Sequence, residues 1–469
     1  MQNISDFLGA ASAFLWGAPL LILLVGTGLY HTIRLRLIQV FKLSTGLRFA
    51  FGKRGRGQGR EGDIAPFQAL MTALAATIGT GNIVGVAGAI AIGGPGALFW
   101  MWVIAVLGMA TKYSEGLLAV KYRIKDKRGK MQGGPMYYIE RGLGENWKWL
   151  AIAFAVFGSV AAFGIGNMVQ ANSVAANVLG LAGIAADSPQ AAGVVRTTGI
   201  ILAILTGAVI LGGIKSIGRV AGVLVPVMAI SYLLGCLVVV ALHANELPGA
   251  FMMILTDAFT GTAATGGFVG STIALAISKG VARGVFSNES GLGSAPIAAA
   301  AAQTDEPAEQ ALISMMGTFI DSIVICTMTG FAIIVTGVWT GGADAAGAMT
   351  QSAFGQALPG NSGGIIVGLG VIIFAYTTLI GWSYYGERCI EYLLGERAIV
   401  PYRVCWVVAV FFGAIGGLKL VWSLAESLNA LMAIPNLIAL VMLSGVIVSE
   451  TRSYQQRKLS TPPDDTPDH

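Results

Sequence analysis

Charged side chains are scarce in this chain of 469 residues. Asp, Glu, Lys and Arg together make up 11%, against about 25% in an ordinary soluble domain, and the mean hydropathy is +0.73. A soluble protein of this composition would have almost no polar shell. Histidine occurs only as His31, His243 and His469, too widely spread for a metal cluster. Cys236, Cys326, Cys389 and Cys405 form no CxxC pair, which argues against both a disulfide framework and a zinc site. There is no H-E-x-x-H. A G-x-S-x-G match, Gly360 to Gly364 around Ser362, follows Pro359 in a loop with no strand before it, so the context of a nucleophile elbow is missing. Hydrolase chemistry is therefore not expected. No soluble module is long enough to fold alone, so there is no basic surface for nucleic acid.

What the chain has is long apolar runs. A spanning helix needs about 20 such residues, and eleven runs qualify: 12–30, 66–92, 96–118, 149–182, 197–214, 219–243, 248–278, 309–338, 362–386, 400–417 and 420–449. Asp6 precedes the first run and Arg34 and Arg36 follow it, the reverse of a signal peptide, so a retained helix with its N-terminus outside is expected. With eleven spans, only Arg196 and Lys419 of the 29 Lys and Arg residues fall on the outer side. The positive-inside rule then puts the C-terminus in the cytoplasm, and the net charge of +5 reflects topology. The expected organisation is an extra N-terminal helix with its basic loop (1–65), five helices (66–246), five more (247–450) and a polar, Pro-rich disordered tail (451–469).

Glycine is abundant, 65 residues, and two clusters interrupt apolar runs. The first is Ala75 to Asn82, with Gly79-Thr80-Gly81, inside Pro66–Ile92; the second is Thr260 to Phe268, with Gly261, Thr265, Gly266 and Gly267, inside Pro248–Ser278. Lipid supplies no hydrogen bonds, so a broken backbone is tolerated only where it is buried or lines a cavity. Each break opens one five-helix set, and an odd number of spans per set inverts the second. Broken helices at matching positions of inverted repeats point to the substrate and ion site of a transporter. Tight helix packing is the simpler explanation of glycine pairs.

A break at Gly79–Asn82 would free N–H groups at the start of a half-helix, suited to a carboxylate. The carbonyls around Ala75 and Ile78 would suit a cation, and mid-span Thr377 and Thr378 could add hydroxyl oxygens. Such threonines otherwise bond their own i−4 carbonyl. Gln170 could hold a polar substrate group or, like Asn167 and Asn172, bind a neighbouring helix. Phe268 and Trp382 could wall a pocket. Asp321 is the acid well inside a span, which suggests a cation ligand, a proton carrier or an interhelical bond. Glu115 and Glu426 lie nearer span ends and suit structural or gating roles.

The segments Gly93–Trp102 (GGPGALFWMW), Arg283–Pro296 (RGVFSNESGLGSAP) and Gly381–Glu387 (GWSYYGE) resemble the hallmarks of the alanine/glycine:cation symporter family, over about 14–450. The resemblance implies an all-α membrane protein of about eleven helices with the leucine-transporter-like fold of the amino acid-polyamine-organocation superfamily. That fold is a 5+5 inverted repeat with discontinuous first and sixth core helices, here with one extra N-terminal helix. The implied activity is sodium-coupled symport of alanine, glycine or another small neutral amino acid across a bacterial inner membrane. Sodium would be a co-transported ligand, with no tightly bound cofactor. In that class the Gly-x-Gly-Asn of the first broken helix matches Gly79 to Asn82. The sodium carbonyls match Ala75 and Ile78, and the sodium hydroxyls match Thr377 and Thr378. The family's glutamine matches Gln170, and its pocket aromatics match Phe268 and Trp382. Proton coupling through Asp321 is the alternative, and a channel a weaker one.

Overall fold

The computed structural model describes residues 2–57, 59–266, 268–416 and 419–460. Its helices, in chain order, begin with α1 (Gln2–Leu15), α2 (Ala18–Arg34), α3 (Ile38–Phe41), α4 (Leu43–Phe51), α5 (Pro66–Thr77), α6 (Val86–Gly93) and α7 (Gly96–Lys121). A short hairpin, β1 (Ile124–Lys125) against β2 (Met131–Gln132), follows. Then come α8 (Pro135–Tyr138), α9 (Lys148–Ala161), α10 (Val169–Leu181), α11 (Ala191–Ile210), α12 (Gly213–Leu242), α13 (Leu247–Thr260), α14 (Ile273–Asn288), α15 (Ala295–Ala299), α16 (Pro307–Thr318), α17 (Thr327–Val335), α18 (Met349–Ala357), α19 (Ser362–Leu394), α20 (Ile399–Ile415), α21 (Lys419–Met442) and α22 (Ser444–Ser460).

Among the described residues, nine helical stretches are long and apolar enough to cross a membrane, and α5 with Gly81–Gly93 makes a tenth, bent by 55°. The expected run 248–278 is not one helix. It divides into α13, a loop from Gly261 to Thr272, and the start of α14. Residues 451–460 are helical within α22, where a disordered tail was expected, because Tyr454 is buried and Thr451 hydrogen-bonds Tyr113. The rest of that tail lies outside the described residues.

Two groups of helices emerge from the packing. α7 lies against α14 and α16, and α5 against α15 and α16. Across from them, α10 packs on α19 and α11 on α20, with α9 between α19 and α21. Val, Leu and Ile side chains on α11, α12 and α20 stay exposed, as expected of faces that meet lipid rather than water. Three spans contain a wide, π-helical turn: Gly81–Gly85, Ala162–Met168 and Phe319–Cys326. Such turns displace the backbone ladder and recur at functional sites. Here they carry Asn82, Asn167 and Asp321, all buried.

Candidate functional site

The first break begins where α5 ends. Ile78 turns extended (φ −75°, ψ 92°), and the chain resumes helix at Thr80. Ala75, Ile78 and Gly79 are fully buried. Thr378 on α19 reaches this point: its Oγ1 lies 3.2 Å from the Ala75 carbonyl and 3.0 Å from that of Phe374. A Cβ on Gly79 would stand 2.7 Å from the same hydroxyl and 3.9 Å from Gln170 Oε1, so a larger residue would close the junction. Thr377 points elsewhere, to its own Phe374 carbonyl (2.9 Å) and Met228 Sδ. The structure thus joins Ala75, Ile78, Gly79, Gln170 and Thr378, with Thr377 alongside.

Gln170 donates to the Ile165 carbonyl (3.0 Å), while its Oε1 is buried without a partner among the described residues. An unsatisfied buried acceptor costs about 1–3 kcal/mol and calls for a donor, here beside the break. Asn167 and Asn172 bond the Trp406 and Gly416 carbonyls and act as interhelical ties.

Asn82 does not present itself to a pocket. Its Oδ1 accepts the Gly79 N–H (2.9 Å), and its Nδ2 donates to Asp321 Oδ1 (2.6 Å). The Gly79 amide, expected to be free, is therefore occupied. Thr80 and Gly81 open the second half-helix, where the first N–H groups have no intrahelical acceptor. Asp321 also accepts from Ser287 Oγ (2.9 Å) and Ser322 Oγ (2.8 Å). Ser287 belongs to α14, so Asn82 and Asp321 link the first break to a second one.

That second break is not at Thr260–Phe268. It is Glu289–Ser294, between α14 and α15, where Glu289, Gly291 and Gly293 take positive φ (55°, 89° and 83°). Glu289 is a non-glycine residue in the left-handed region, a conformation that persists only when its surroundings enforce it. They do: Lys112 Nζ donates to its carbonyl (3.2 Å), Trp382 Nε1 to Oε1 (2.9 Å) and Ser294 Oγ to Oε2 (2.5 Å). Glu115 accepts the Gly293 N–H (3.2 Å), and Asn436 donates to the Gly291 carbonyl (2.9 Å) and to Glu115 (2.7 Å). Glu115, in the last two turns of α7 and buried, is thus a polar lining of this break.

The glycines of 261–270 do different work. Gly261, Gly266 and Gly270, all at positive φ, shape a loop closed by bridges Thr262–Ser271 and Thr265–Phe268. The Ser271 hydroxyl bonds the Gly93 carbonyl (2.9 Å), so the loop covers the far end of α6. Twelve helical residues separate Gly81 from Gly93, roughly 18 Å of rise. Thr265 and Gly266 are exposed there, and Phe268 packs edge-on against Trp339 at 5.4 Å. None of these three joins the site, and Gly267 lies outside the described residues.

Trp382 does belong. It sits one helical turn beyond Thr378, is buried, and packs where a Cβ on Gly166 would come within 2.2 Å of its own Cβ. Lys112 was missed as a site residue, and Ser287 and Glu289 were singled out only as part of the Arg283–Pro296 family hallmark. The Gly291-x-Gly293 spacing after Asn288-Glu289 was the available signal. The carboxylates of Asp126, Glu391 and Glu396 also cluster, but the Arg128 guanidinium pairs with all three and takes the place a metal would need.

Two broken helices facing a helix pair with convergent carbonyls, hydroxyls and an unpaired amide oxygen define a secondary transporter of the leucine-transporter fold rather than an enzyme. A solved structure, MhsT in complex with L-phenylalanine, has the same fold: TM-score 0.55 over 84% of this chain and 93% of that one, at 13% identity. The profile of the sodium:alanine symporter family matches residues 1–466, and the chain belongs to that family. It is 52% identical to the sodium/alanine symporter AgcS of Methanococcus maripaludis over 460 residues, 97% of this chain and 98% of the relative. It is 53% identical to an uncharacterized transporter of Haemophilus influenzae over 457 residues, 97% of each.

Proposed function

We propose that this protein couples sodium entry to the uptake of a small neutral amino acid such as alanine or glycine. The observation that carries the reading is the junction at Gly79, where the Ala75 carbonyl, the Thr378 hydroxyl and the unpartnered Gln170 Oε1 meet at a broken helix. Sodium binds among the Ala75 and Ile78 carbonyls and the Thr378 hydroxyl. Thr377 supplies a further oxygen after a rotamer change, since χ1 wells interconvert readily. The ion draws α5 against α19 and so stiffens the contact between the two helix groups.

The amino acid docks its carboxylate on the N–H groups of Thr80 and Gly81, at the positive end of a half-helix. Its ammonium meets Gln170 Oε1 and main-chain carbonyls of Glu289–Ser294. That second segment takes the place of the break first expected at Thr260–Phe268. Trp382, pinned by Glu289, bounds the side-chain space. A sodium ion moving inward gains roughly 2.3 kcal/mol per 100 mV, and a zwitterion adds no net charge, so uptake is electrogenic.

Counting α14 with α15 as a broken crossing gives eleven spans. The second inverted set then starts at α14, and α13 lies at the outer face. The basic loops after α2 and α7 support a cytoplasmic C-terminus, and the proposed setting is a bacterial inner membrane. The decisive measurement is radiolabelled alanine uptake into proteoliposomes with and without a sodium gradient, with competing amino acids. Uptake indifferent to sodium would overturn the coupling.

Proton coupling through Asp321 is the second reading. It is favoured by the full burial of that carboxyl between Asn82 of the first break and Ser287 beside the second. Uptake that persists without sodium and collapses with the proton gradient would select it.

A further inference from the structure

Away from the transport site, two adjoining cavities of about 430 Å³ and 210 Å³ open between α3–α4, at the end of the N-terminal helix, and α22. They share Ile38, Lys42, Thr451 and Gln455. Lys42, Arg48, Arg54 and Lys458 line the larger, and Arg34, Arg36 and Arg452 join Lys42 around the smaller. Neither lining contains an acid. Arg54 and Lys458 pair with Glu309, and Arg34 lies over the Tyr30 ring. No ion pair is formed by Arg36, Lys42, Arg48 or Arg452 among the described residues.

Four unpaired cations around one concavity repel one another, and surplus basic residues at a membrane face need only be scattered to satisfy topology. Two features make this a built site. Arg36 and Leu37 both hold left-handed backbone (φ 54° and 57°), rare for non-glycine residues, and this corner turns the chain from α2 into α3. On either side of the corner, Ile33 (67% exposed), Val40 (57%) and Phe41 (72%) are uncovered apolar side chains, and Phe41 lines the smaller cavity. Charge in the hollow and apolar side chains at its edge match an amphiphile with an anionic head.

We propose that this hollow binds the phosphate-bearing headgroup of an anionic phospholipid, with acyl chains along Ile33, Val40 and Phe41. Thr45, Thr451 and Gln455 add neutral polar groups for the phosphate or glycerol oxygens. A soluble phosphate would use the same cations but would gain nothing from the apolar rim, so the lipid is the occupant. The site touches α7 and α16 through Tyr113 and Leu312, and it does not depend on which ion drives transport.

The test is native mass spectrometry of the purified full chain titrated with phosphatidylglycerol, with phosphatidylcholine, and with phosphatidylglycerol plus inorganic phosphate. Wild type should retain phosphatidylglycerol and not phosphatidylcholine, with millimolar phosphate failing to displace it. The double variant Lys42→Gln/Arg48→Gln should bind roughly 30-fold more weakly, the weight of two cations at a membrane surface. Lys125→Gln/Lys127→Gln, on the hairpin, should bind as wild type. If the first pair does not fold, Arg36→Gln/Arg452→Gln tests the smaller hollow with the same expected loss. Equal retention in the folded variants, equal binding of phosphatidylcholine, or displacement by inorganic phosphate would each overturn the proposal.

Discussion

Replacing Thr378 by alanine removes one oxygen and one methyl group from the point where α19 meets the first break. The hydroxyl lies 3.2 Å from the Ala75 carbonyl and within 2.7 Å of where a Cβ on Gly79 would stand, so it faces the broken backbone directly. A hydrogen bond or ligand contact to a charged group contributes about 1.5–3 kcal/mol. If the charge is a sodium ion, its loss should raise the sodium concentration for half-maximal alanine uptake by about 10- to 150-fold at that magnitude. Thr378→Ser keeps the oxygen and should stay near wild type, while Thr378→Val keeps the volume and should fall with alanine. The assay is initial uptake rate in proteoliposomes across a sodium series. It is paired with the sodium-induced shift in melting temperature, since a ligand that binds the folded state raises stability with its concentration. A wild-type sodium requirement in both the alanine and valine variants would refute the ion site at Ala75, Ile78 and Thr378.

Three further outcomes follow from the geometry. Trp382→Phe, which gives up the bond to Glu289 and part of the ring volume, should admit bulkier amino acids in competition assays; unchanged selectivity would remove Trp382 from the pocket. Gly166→Ala puts a Cβ within 2.2 Å of the Trp382 Cβ, so it should displace the indole and shift substrate preference in the same assay, with a smaller effect in a Trp382→Gly background. Asp321→Asn keeps one acceptor oxygen for Ser287 and Ser322 and should leave uptake driven by sodium; abolition of proton-driven uptake in this variant, where wild type shows it, would favour the proton reading.

The first break was legible because two glycines and an asparagine interrupt an otherwise unbroken apolar run, and apolar context leaves few explanations for Gly79-Thr-Gly81-Asn82. Asp321 was legible for the related reason that one acid stands in a long apolar segment. The second break was misread because glycine signals a permitted conformation without saying at what depth it occurs. Gly261, Gly266 and Gly270 make a surface loop with the same chemistry that Gly291 and Gly293 use inside the protein. The Glu289–Ser294 break sits in a stretch that carries Lys279, Arg283 and Glu289 and falls between the apolar runs 248–278 and 309–338. Its charge is compensated from elsewhere in the chain, by Lys112, Trp382 and Ser294 around Glu289, and such pairings have no local signature. The apolar count failed over 248–278 for a similar reason: α13 and the start of α14 are both apolar, and only the loop's hydrogen bonds separate them.

The two breaks also differ in how firmly they are held, and this bears on where motion occurs. Around Glu289–Ser294, ionisable side chains from α7 and amide or indole donors from α19 and α21 bind the exposed main chain and its carboxylate. Bonds to charged groups are roughly twice as strong as neutral ones, and several must break together for this segment to rewind. At Gly79 the described contacts are a short-range Asn82 bond and one threonine hydroxyl, all neutral at the break itself, with Gln170 Oε1 unpaired. A bound cation and zwitterion therefore have most to gain there, by replacing weak bonds with charge-assisted ones. On the proposed reading, the free energy of binding is then released at the contact between α5 and α19, whereas moving the second break relative to α19 and α21 would require breaking the Trp382 and Asn436 bonds.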